Sequence, residues 1–264
     1  MASGGLTDLA IDWGAPWLAP LRDLRAQVGR ADWREALTAE ARCRGVATAG
    51  GLPIGFVASD DAGAAAYEAH IAATGRVPTR DNAHDLFNAL AWLAFPLTKA
   101  ALNARQAAEL ARDGVRARRG PVRDAATLVD ESGLLLAASE EACAALMRLD
   151  WRWLFVEQRA RWRGDWLPVA FGHALIEKLL APYKGLTAAV VCLPLAAGTT
   201  SQVDRAAAQW VREAALAPPL LAHLPVLGIP GWWPANDNPA YYADEAVFRS
   251  RRGRVHGAGN ASQA

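Results

Sequence analysis

The amino-acid sequence predicts a mostly helical α+β protein with a few short strands, forming a single domain over residues 1–250. The first observation is that 52% of the 264 residues are hydrophobic, which is enough to build a large core. The second is that many stretches repeat apolar residues at helical spacing, whereas few short apolar runs suit strands. The third is that no change in composition marks a domain boundary before a small, polar tail at 251–264, which is predicted to be disordered.

The first part of the chain is predicted to hold an irregular start, short helices and one strand. Asp32 can cap a helix over WREALTAEARC, which Gly45 would end. The run LPIGFVAS at 52–59 lies between glycines and a polar pair, and this pattern suits a strand. A short helix over AAAYEAHIAAT should follow, closed by Gly75.

The central stretch, VPTRDNAHDLFNALAWLAFPLTKAALN, combines core-forming residues with polar side chains of chemical interest. Asp81 or Asn82 can cap a helix that begins near His84, because a short side-chain oxygen accepts the unpaired backbone N–H groups. Pro96 should end or kink this helix, and a second helix over LTKAALNARQAAELARDG should then run to Gly114.

The second half is predicted to begin with a β-hairpin at about 124–138. In AATLVDESGLLLAAS two apolar runs flank Asp-Glu-Ser-Gly, and Gly133 can adopt the positive φ of a turn. Ser139 then caps a predicted long helix, EEACAALMRLDWRWLFVEQRARW, ending near Gly164. After it we expect a helix over VAFGHALIEKLLA and a buried strand over TAAVVCLPL. A capped helix over TSQVDRAAAQWVREAAL should follow. The last predicted element is an extended segment with aromatic anchors, LPVLGIPGWWPANDNPAYYADEAVF.

Charge and cysteine content narrow the class of protein. The net charge is +1, from 28 basic and 27 acidic residues, so no overall field recruits nucleic acid or an anionic membrane. Cys43, Cys143 and Cys192 are far apart and show no CxxC spacing, which favours buried free thiols in a reducing cytoplasm over disulfides or structural zinc. We find neither a signal-peptide pattern nor an apolar run of roughly 18 residues. The sequence therefore predicts a soluble cytoplasmic protein without a membrane partner.

One face of the central helix carries a group of polar side chains. At about 100° per residue, the leucines fall on one arc and the opposite arc holds Asp81, His84, Asp85, Asn88 and Trp92. A histidine beside carboxylates can act as a general base or as a metal ligand. The alternative is a solvated face whose aspartates cap the helix and interact favourably with its dipole.

A second polar pair lies in FGHALIEKLLAPYKG, where His173 and Glu177 are four residues apart and share a helix face. Imidazole and carboxylate together suit zinc, manganese or iron, although an ordinary hydrogen bond between the two side chains is the favoured explanation of the spacing. The sharpest hypothesis combines both groups: His84, Asp85, His173 and Glu177 bind a divalent metal that activates water. This hypothesis requires the two imidazoles to lie closer than roughly 8–10 Å.

The hypothesis gives the other polar residues supporting parts in a metal-assisted hydrolase for a small molecule or phosphoester. Asp81, Asn88 and Lys99 are the candidate catalytic groups, and Lys99 or Lys184 could hold an anion. No cofactor other than the possible divalent metal is indicated.

The rival hypothesis is a non-catalytic binding module for nucleic acid or a protein partner. If residues 148–166 form a helix, one stripe of its surface is aromatic and the neighbouring stripe is basic. The aromatic stripe contains Trp151, Phe155, Trp162 and Trp166. The basic stripe contains Arg148, Arg152, Arg159 and Arg163. Such a surface can stack bases and neutralise phosphates, and a basic loop with Arg116, Arg118, Arg119 and Arg123 could extend it. The favoured alternative is an amphipathic helix with its aromatic edge in the core and its arginines in water.

Three blocks of the sequence resemble a bacterial protein family, the domain-of-unknown-function family numbered 3025. They are TRDNAHDLFNALAWLAFPLTKAALNARQ, FGHALIEKLLAPYKGLTA and LPVLGIPGWWPANDNPAYYADEAVFR. The resemblance implies a bacterial single-domain protein and transfers no catalytic residue, because the family has no established activity. In the family pattern a histidine often follows LTA, where this chain has Ala189, so a site that used that histidine would be absent here.

Overall fold

The computed structural model describes residues 9–59, 67–113, 120–196, 198–214, 216–218 and 221–249. The predicted tail at 251–264 and three residues of the predicted basic loop, Arg116, Arg118 and Arg119, lie outside these residues, whereas Arg123 of that loop belongs to α5. After a 3₁₀ segment at Pro16–Gln27, the helices are α1 (Trp33–Cys43), α2 (Tyr67–Thr74), α3 (Ala83–Ala94), α4 (Pro96–Asp113), α5 (Pro121–Ser132), α6 (Glu140–Arg148), α7 (His173–Lys178) and α8 (Thr200–Glu213). The strands are β1 (Gly55–Ala58), β2 (Arg76–Thr79), β3 (Gly133–Ala138), β4 (Leu167–Ala170), β5 (Thr187–Pro194) and β6 (Ala222–Pro225).

Two sheets confirm the predicted α+β class. The larger has four strands in the order β4-β3-β5-β6, with β3 and β5 parallel and each edge strand antiparallel to its neighbour. The smaller consists of β1 and β2 in parallel. Antiparallel pairing of β3 with β4 brings the end of β4 beside the start of β3, and this edge of the sheet carries the candidate site described below.

The four-stranded sheet is covered on both faces. All six residues of β3 are buried, and alternate ones enter two different hydrophobic clusters. Leu134 and Leu136 join a cluster that contains α1, α3 and most of the tryptophans. Leu135 and Ala137 join a second cluster that contains the buried faces of α5 and α8. The continuous apolar run of β3 is therefore the pattern of a strand buried on both faces.

The predicted hairpin at 124–138 is wrong. Its first half belongs to α5, because Ala125, Ala126 and Val129 repeat at helical spacing and all three are fully buried. Gly133 does not form a turn but opens β3 with φ −70° and ψ 139°. A Cβ at Gly133 would lie 2.2 Å from the Val129 carbonyl oxygen, so this glycine is needed for close backbone packing.

The predicted long helix from Ser139 to Gly164 is interrupted. Ser139 does cap α6, but α6 ends at Arg148 because Leu149 adopts the left-handed conformation, with φ 58°. A π-helical turn at Trp153–Glu157 and a 3₁₀ turn at Arg159–Arg163 follow. The aromatic stripe is core: Trp151, Trp162 and Trp166 are only 5–7% exposed and Phe155 is fully buried.

The prediction of free thiols is also wrong for two of the three cysteines. Cys143 of α6 and Cys192 of β5 form a disulfide with a Cα–Cα distance of 5.6 Å. Cys43 is a free thiol, but it is exposed and not buried. The 49-residue separation of the bonded pair gave no signal in the sequence, because packing of α6 against β5 brings the two together.

Most local signals in the remaining chain are confirmed. Helix α1 has its predicted residues, Asn82 caps α3 through Asp85 N–H at 2.8 Å, and Thr199 caps α8 in a capping box. The helix expected over VAFGHALIEKLLA is split, since its first residues belong to β4 and α7 begins only at His173. The C-terminal aromatic segment forms 3₁₀ turns after β6 where an extended chain was expected. Within the described residues, every helix is too short or too polar to cross a membrane.

Candidate metal centre

Three side chains from three elements meet at the edge of the four-stranded sheet. His84 lies in the first turn of α3, Glu131 in the last turn of α5 just before β3, and His173 is the first residue of α7, just after β4. The backbone N–H of Gly172 donates to the Gly133 carbonyl at 2.9 Å, which sets the start of α7 against the end of α5. The register of β3 and β4 therefore places His173 beside Glu131.

The facing atoms of the three side chains lie at metal-ligand separations. Nε2 of His84 is 3.0 Å from Nε2 of His173, and Oε2 of Glu131 is 3.9 Å from the first and 3.5 Å from the second. A point equidistant from these three atoms lies about 2.0 Å from each, and zinc–nitrogen and zinc–oxygen bonds are about 2.0–2.2 Å long. The two imidazoles thus meet the distance requirement that the sequence hypothesis set.

Glu177 lies behind His84, on the side of the ring away from His173. Its Oε2 is 3.1 Å from Nδ1 of His84. A carboxylate in this position accepts a hydrogen bond from Nδ1–H, which keeps the proton on Nδ1 and leaves the Nε2 lone pair directed at the cluster. The sequence predicted Glu177 as a ligand that acts with His173, but the structure pairs it with His84.

His173 is the buried member of the group, only 4% exposed. Burial lowers the pKa of its imidazole to about 4, although the nearby Asp130 carboxylate acts in the opposite direction. The ring is therefore neutral at pH 7, which is the protonation state that a metal-binding histidine requires.

The two acidic residues at the end of α5, Asp130 and Glu131, have pKa values that are shifted in opposite directions. Burial raises the pKa of Glu131, and the nearby Asp130 carboxylate adds to the effect while His84 opposes it. Burial also disfavours the charged form of Asp130, but the adjacent Lys99 ammonium outweighs it and holds the pKa of Asp130 below its usual value, and His173 adds to this effect at the acidic pH where its ring is protonated. An anionic Asp130 therefore lies beside the buried imidazole.

The three side chains of the group differ in their exposure to solvent. The side chains of His84 and Glu131 are 32% and 40% exposed, whereas that of His173 is 5% exposed. Two half-exposed groups and one buried group leave an open face toward solvent, which a small molecule could approach.

The structure brings together His84, His173 and Glu177 of the predicted ligands but not Asp85. Both carboxylate oxygens of Asp85 accept hydrogen bonds from Arg80, at 2.7–3.1 Å, so Asp85 faces away from the imidazoles. Asp81 pairs with Arg34 at 2.8 Å and accepts from the Trp33 indole.

The other candidate polar residues also have partners elsewhere. Lys184 pairs with Asp244 at 2.8 Å. Lys99 is buried, donates to Asn88 at 2.7 Å and pairs with Asp130 at 2.5 Å. Asn88 in turn donates to the Tyr67 hydroxyl at 3.0 Å.

Sequence reasoning missed Glu131 as a candidate ligand and gave Asp130 no part in the predicted site. Both were placed in the turn of the hairpin that does not exist. The signal that could have identified them is the helical spacing of Ala125, Ala126 and Val129, which puts the two acids in the last turn of a helix before a buried strand.

The pKa of His173 predicts how the stability of the metal-free protein varies with pH, measured in the presence of a chelator. An unfolded histidine titrates near 6.5, so between about pH 6.5 and 4 the unfolded state binds more protons and stability falls as the pH falls. Over this window we expect wild type to lose roughly 2–3 kcal/mol more unfolding free energy than His173→Asn. Urea denaturation at several pH values measures the difference, with exposed His223→Asn as the control. Equal pH slopes for wild type and His173→Asn would contradict the prediction.

Comparison with known proteins gives a family but no characterised relative. Neither a curated protein nor a solved structure matches the chain. A family model described as "Protein of unknown function (DUF3025)" matches residues 54–252, a range that contains all three facing side chains. Ala189 is a buried core residue of β5. The chain therefore belongs to the DUF3025 family of proteins of unknown function.

Proposed function

We propose that this protein is a metal-dependent hydrolase in which His84, Glu131 and His173 bind one divalent ion. The observation that carries the proposal is the separation of the three ligand atoms, 3.0, 3.5 and 3.9 Å, around a point at bonding distance from each. Among the residues that the structure describes, His84, Glu131 and His173 form a group of three possible ligands, and their ligand atoms all lie within 4.8 Å of one another.

The ligand set favours a catalytic ion over a structural one. Structural zinc sites use four protein ligands, whereas catalytic sites use three and leave a position for water or substrate. Two imidazoles and one carboxylate suit zinc best, and the same set also accepts iron or manganese. The exposed sides of His84 and Glu131 leave the remaining position open to solvent.

The chemistry follows from the ion's charge. A divalent ion held by two neutral imidazoles and one carboxylate keeps a net positive charge and lowers the pKa of bound water to about 7. The resulting hydroxide can attack a carbonyl or phosphoryl group that enters from the open face. The proposed substrates are therefore small-molecule esters or amides and phosphoesters.

Metal binding and hydrolysis together test the proposal. We expect chelator-treated protein to bind Zn²⁺ at one ion per chain in isothermal titration calorimetry, and His84→Ala and His173→Ala each to remove this binding. Added zinc should restore hydrolysis of at least one of three substrates. These are 4-nitrophenyl acetate, 4-nitrophenyl phosphate and bis(4-nitrophenyl) phosphate. His223→Ala is the matched control, because His223 is an exposed histidine on β6.

Two results would overturn parts of the proposal. Absence of stoichiometric binding of zinc, manganese or iron would end the metal centre. Stoichiometric binding without metal-dependent hydrolysis of any of the three substrates would end the hydrolase function and leave a metal-binding protein.

The buried aromatic rings of residues 148–166 disfavour the nucleic-acid alternative. Its stacking surface would need exposed rings, and Trp151, Trp162 and Trp166 lie in the core. Of the arginines, Arg152 and Arg161 pair with acidic neighbours and Arg159 pairs with Asp237.

A bacterial cytoplasmic location is part of the proposal, and the Cys143–Cys192 pair gives a way to test it. The cytosol of most bacteria keeps thiols reduced, so disulfides there are rare. Rapid acid quenching of cells followed by thiol alkylation and mass spectrometry measures the state of the pair. Complete oxidation in the quenched cells would argue for an oxidising compartment.

A further inference from the structure

We infer that Lys99 and Asp130 form a buried pair that positions the metal ligand His173. This inference rests on the proposed function, since it concerns the same ion. It assigns to Lys99 a part that differs from the anion-binding one predicted from sequence, because Lys99 acts through Asp130 and does not reach the open face.

The geometry divides the two oxygens of Asp130 between two partners. Oδ1 is 2.5 Å from the Lys99 ammonium, and Oδ2 lies 3.7 Å from Nδ1 of His173. The Lys99 and Asp130 side chains are 5% and 14% exposed. Lys99 therefore fixes one carboxylate oxygen and leaves the other facing the imidazole.

A histidine that binds a metal ion through one ring nitrogen needs a hydrogen-bond partner for the other ring nitrogen. When Nε2 of a histidine binds an ion, Nδ1 carries the proton and is normally held by a carboxylate, a carbonyl or water. Glu177 fills this place for His84 at 3.1 Å. Asp130 is the carboxylate in the corresponding place for His173, about 0.5–1 Å beyond hydrogen-bond range.

Stability alone is a poor explanation for the pair. Removing a lysine and an aspartate from water has a large desolvation penalty, and buried ion pairs often contribute no more stability than apolar residues of similar size. Here the ammonium is also held by Asn88 at 2.7 Å and lies 5.6 Å from the centre of the Trp92 ring. These contacts, from α3, hold the ammonium against Oδ1 of Asp130.

The test compares zinc affinity and cobalt spectra of full-length variants. We expect Asp130→Asn to weaken zinc binding about 10–100-fold, measured by competition with a chromophoric chelator, and to change the visible absorption spectrum of bound Co²⁺. The Co²⁺ spectrum reports on the ligands of the ion, which a purely structural change elsewhere does not alter. Asp130→Glu, which keeps the carboxylate, should recover part of the affinity.

Two further variants separate positioning from stability. Tyr67→Phe removes a hydroxyl from the same buried network without touching Asp130, so it should lower stability while leaving zinc affinity within about threefold of wild type. Asp130→Asn alone leaves the buried Lys99 ammonium without its carboxylate partner. The double variant Lys99→Met with Asp130→Asn removes both charges, so it should fold even if the single variant does not. It should bind zinc as weakly as Asp130→Asn.

The outcomes distinguish the inference from the proposed function. If wild type binds no metal, the proposed function fails and the inference fails with it. If wild type binds zinc and Asp130→Asn binds it equally well with an unchanged cobalt spectrum, only the positioning inference fails. If Tyr67→Phe weakens zinc binding as much as Asp130→Asn does, the Lys99–Asp130 pair only stabilises the fold and does not position His173, and the inference is overturned.

Discussion

Replacing Gly172 by alanine is expected to destabilise the protein by about 4 kcal/mol or more and to weaken metal binding, because no side chain can move aside to relieve the contact. A Cβ at this position would lie 2.4 Å from the backbone nitrogen of Gly133 and 2.6 Å from the carbonyl carbon and oxygen of Glu131. These are backbone atoms at the junction of α5 and β3. Since Gly172 precedes His173, any relief of the clash moves His173 away from Glu131.

Urea denaturation and zinc titration measure the two effects of Gly172→Ala. The control is Gly50→Ala, whose Cβ would meet only the Thr48 hydroxyl at an ordinary 3.7 Å, and we expect it to change stability by less than about 0.5 kcal/mol. A Gly172→Ala protein with wild-type stability and zinc affinity would show that the close approach of α7 to α5 is not required.

Loss of the Cys143–Cys192 disulfide is the second large expected effect. Closing a loop of 49 residues restricts the unfolded chain, and the chain-entropy relation gives about 4 kcal/mol for a loop of this size. We therefore expect Cys143→Ser, or treatment with reductant, to lower the free energy of unfolding by about this amount. The bond joins α6 to β5, so the loss should appear as one cooperative shift of the urea transition.

The matched control uses the third cysteine. Cys43 is an exposed free thiol, so Cys43→Ser should leave stability unchanged with or without reductant. Alkylation of the purified, denatured and unreduced protein provides an independent check, since one reactive thiol is expected per chain. Three reactive thiols would contradict the disulfide.

Local signals in the sequence predicted much of the secondary structure. Capping of α3 by Asn82, the stop at Gly75 and the break at Pro96 each depend on a few neighbouring residues, and each is found in the structure. Non-local features were harder to predict. The four residues Asp-Glu-Ser-Gly are compatible with a hairpin turn, but in the structure they end α5 and begin β3, which pairs in parallel with β5 and not with the residues before it.

The candidate site shows the same division between local and non-local information. The wheel of α3 identified His84, and the helix of FGHALIEKLLA identified His173 and Glu177, which the structure brings together. The wheel could not separate His84 from Asp85, because the Arg80 contacts that turn Asp85 away come from residues before the helix. Glu131 was missed because its element was misassigned. Which carboxylate lies behind which imidazole depends on tertiary packing of α5 against α7.

The position of β3 has a consequence for motion at the site. A central strand with partners on both edges and apolar layers on both faces has no low-energy route to sub-global opening, so its amides exchange with solvent mainly when the whole unit unfolds. Glu131 lies two residues before this strand and His173 three residues after its antiparallel neighbour β4. Both side chains are therefore attached close to a part of the chain that stays closed, while His84, on a half-exposed helix turn, is the one best placed to move when a ligand enters.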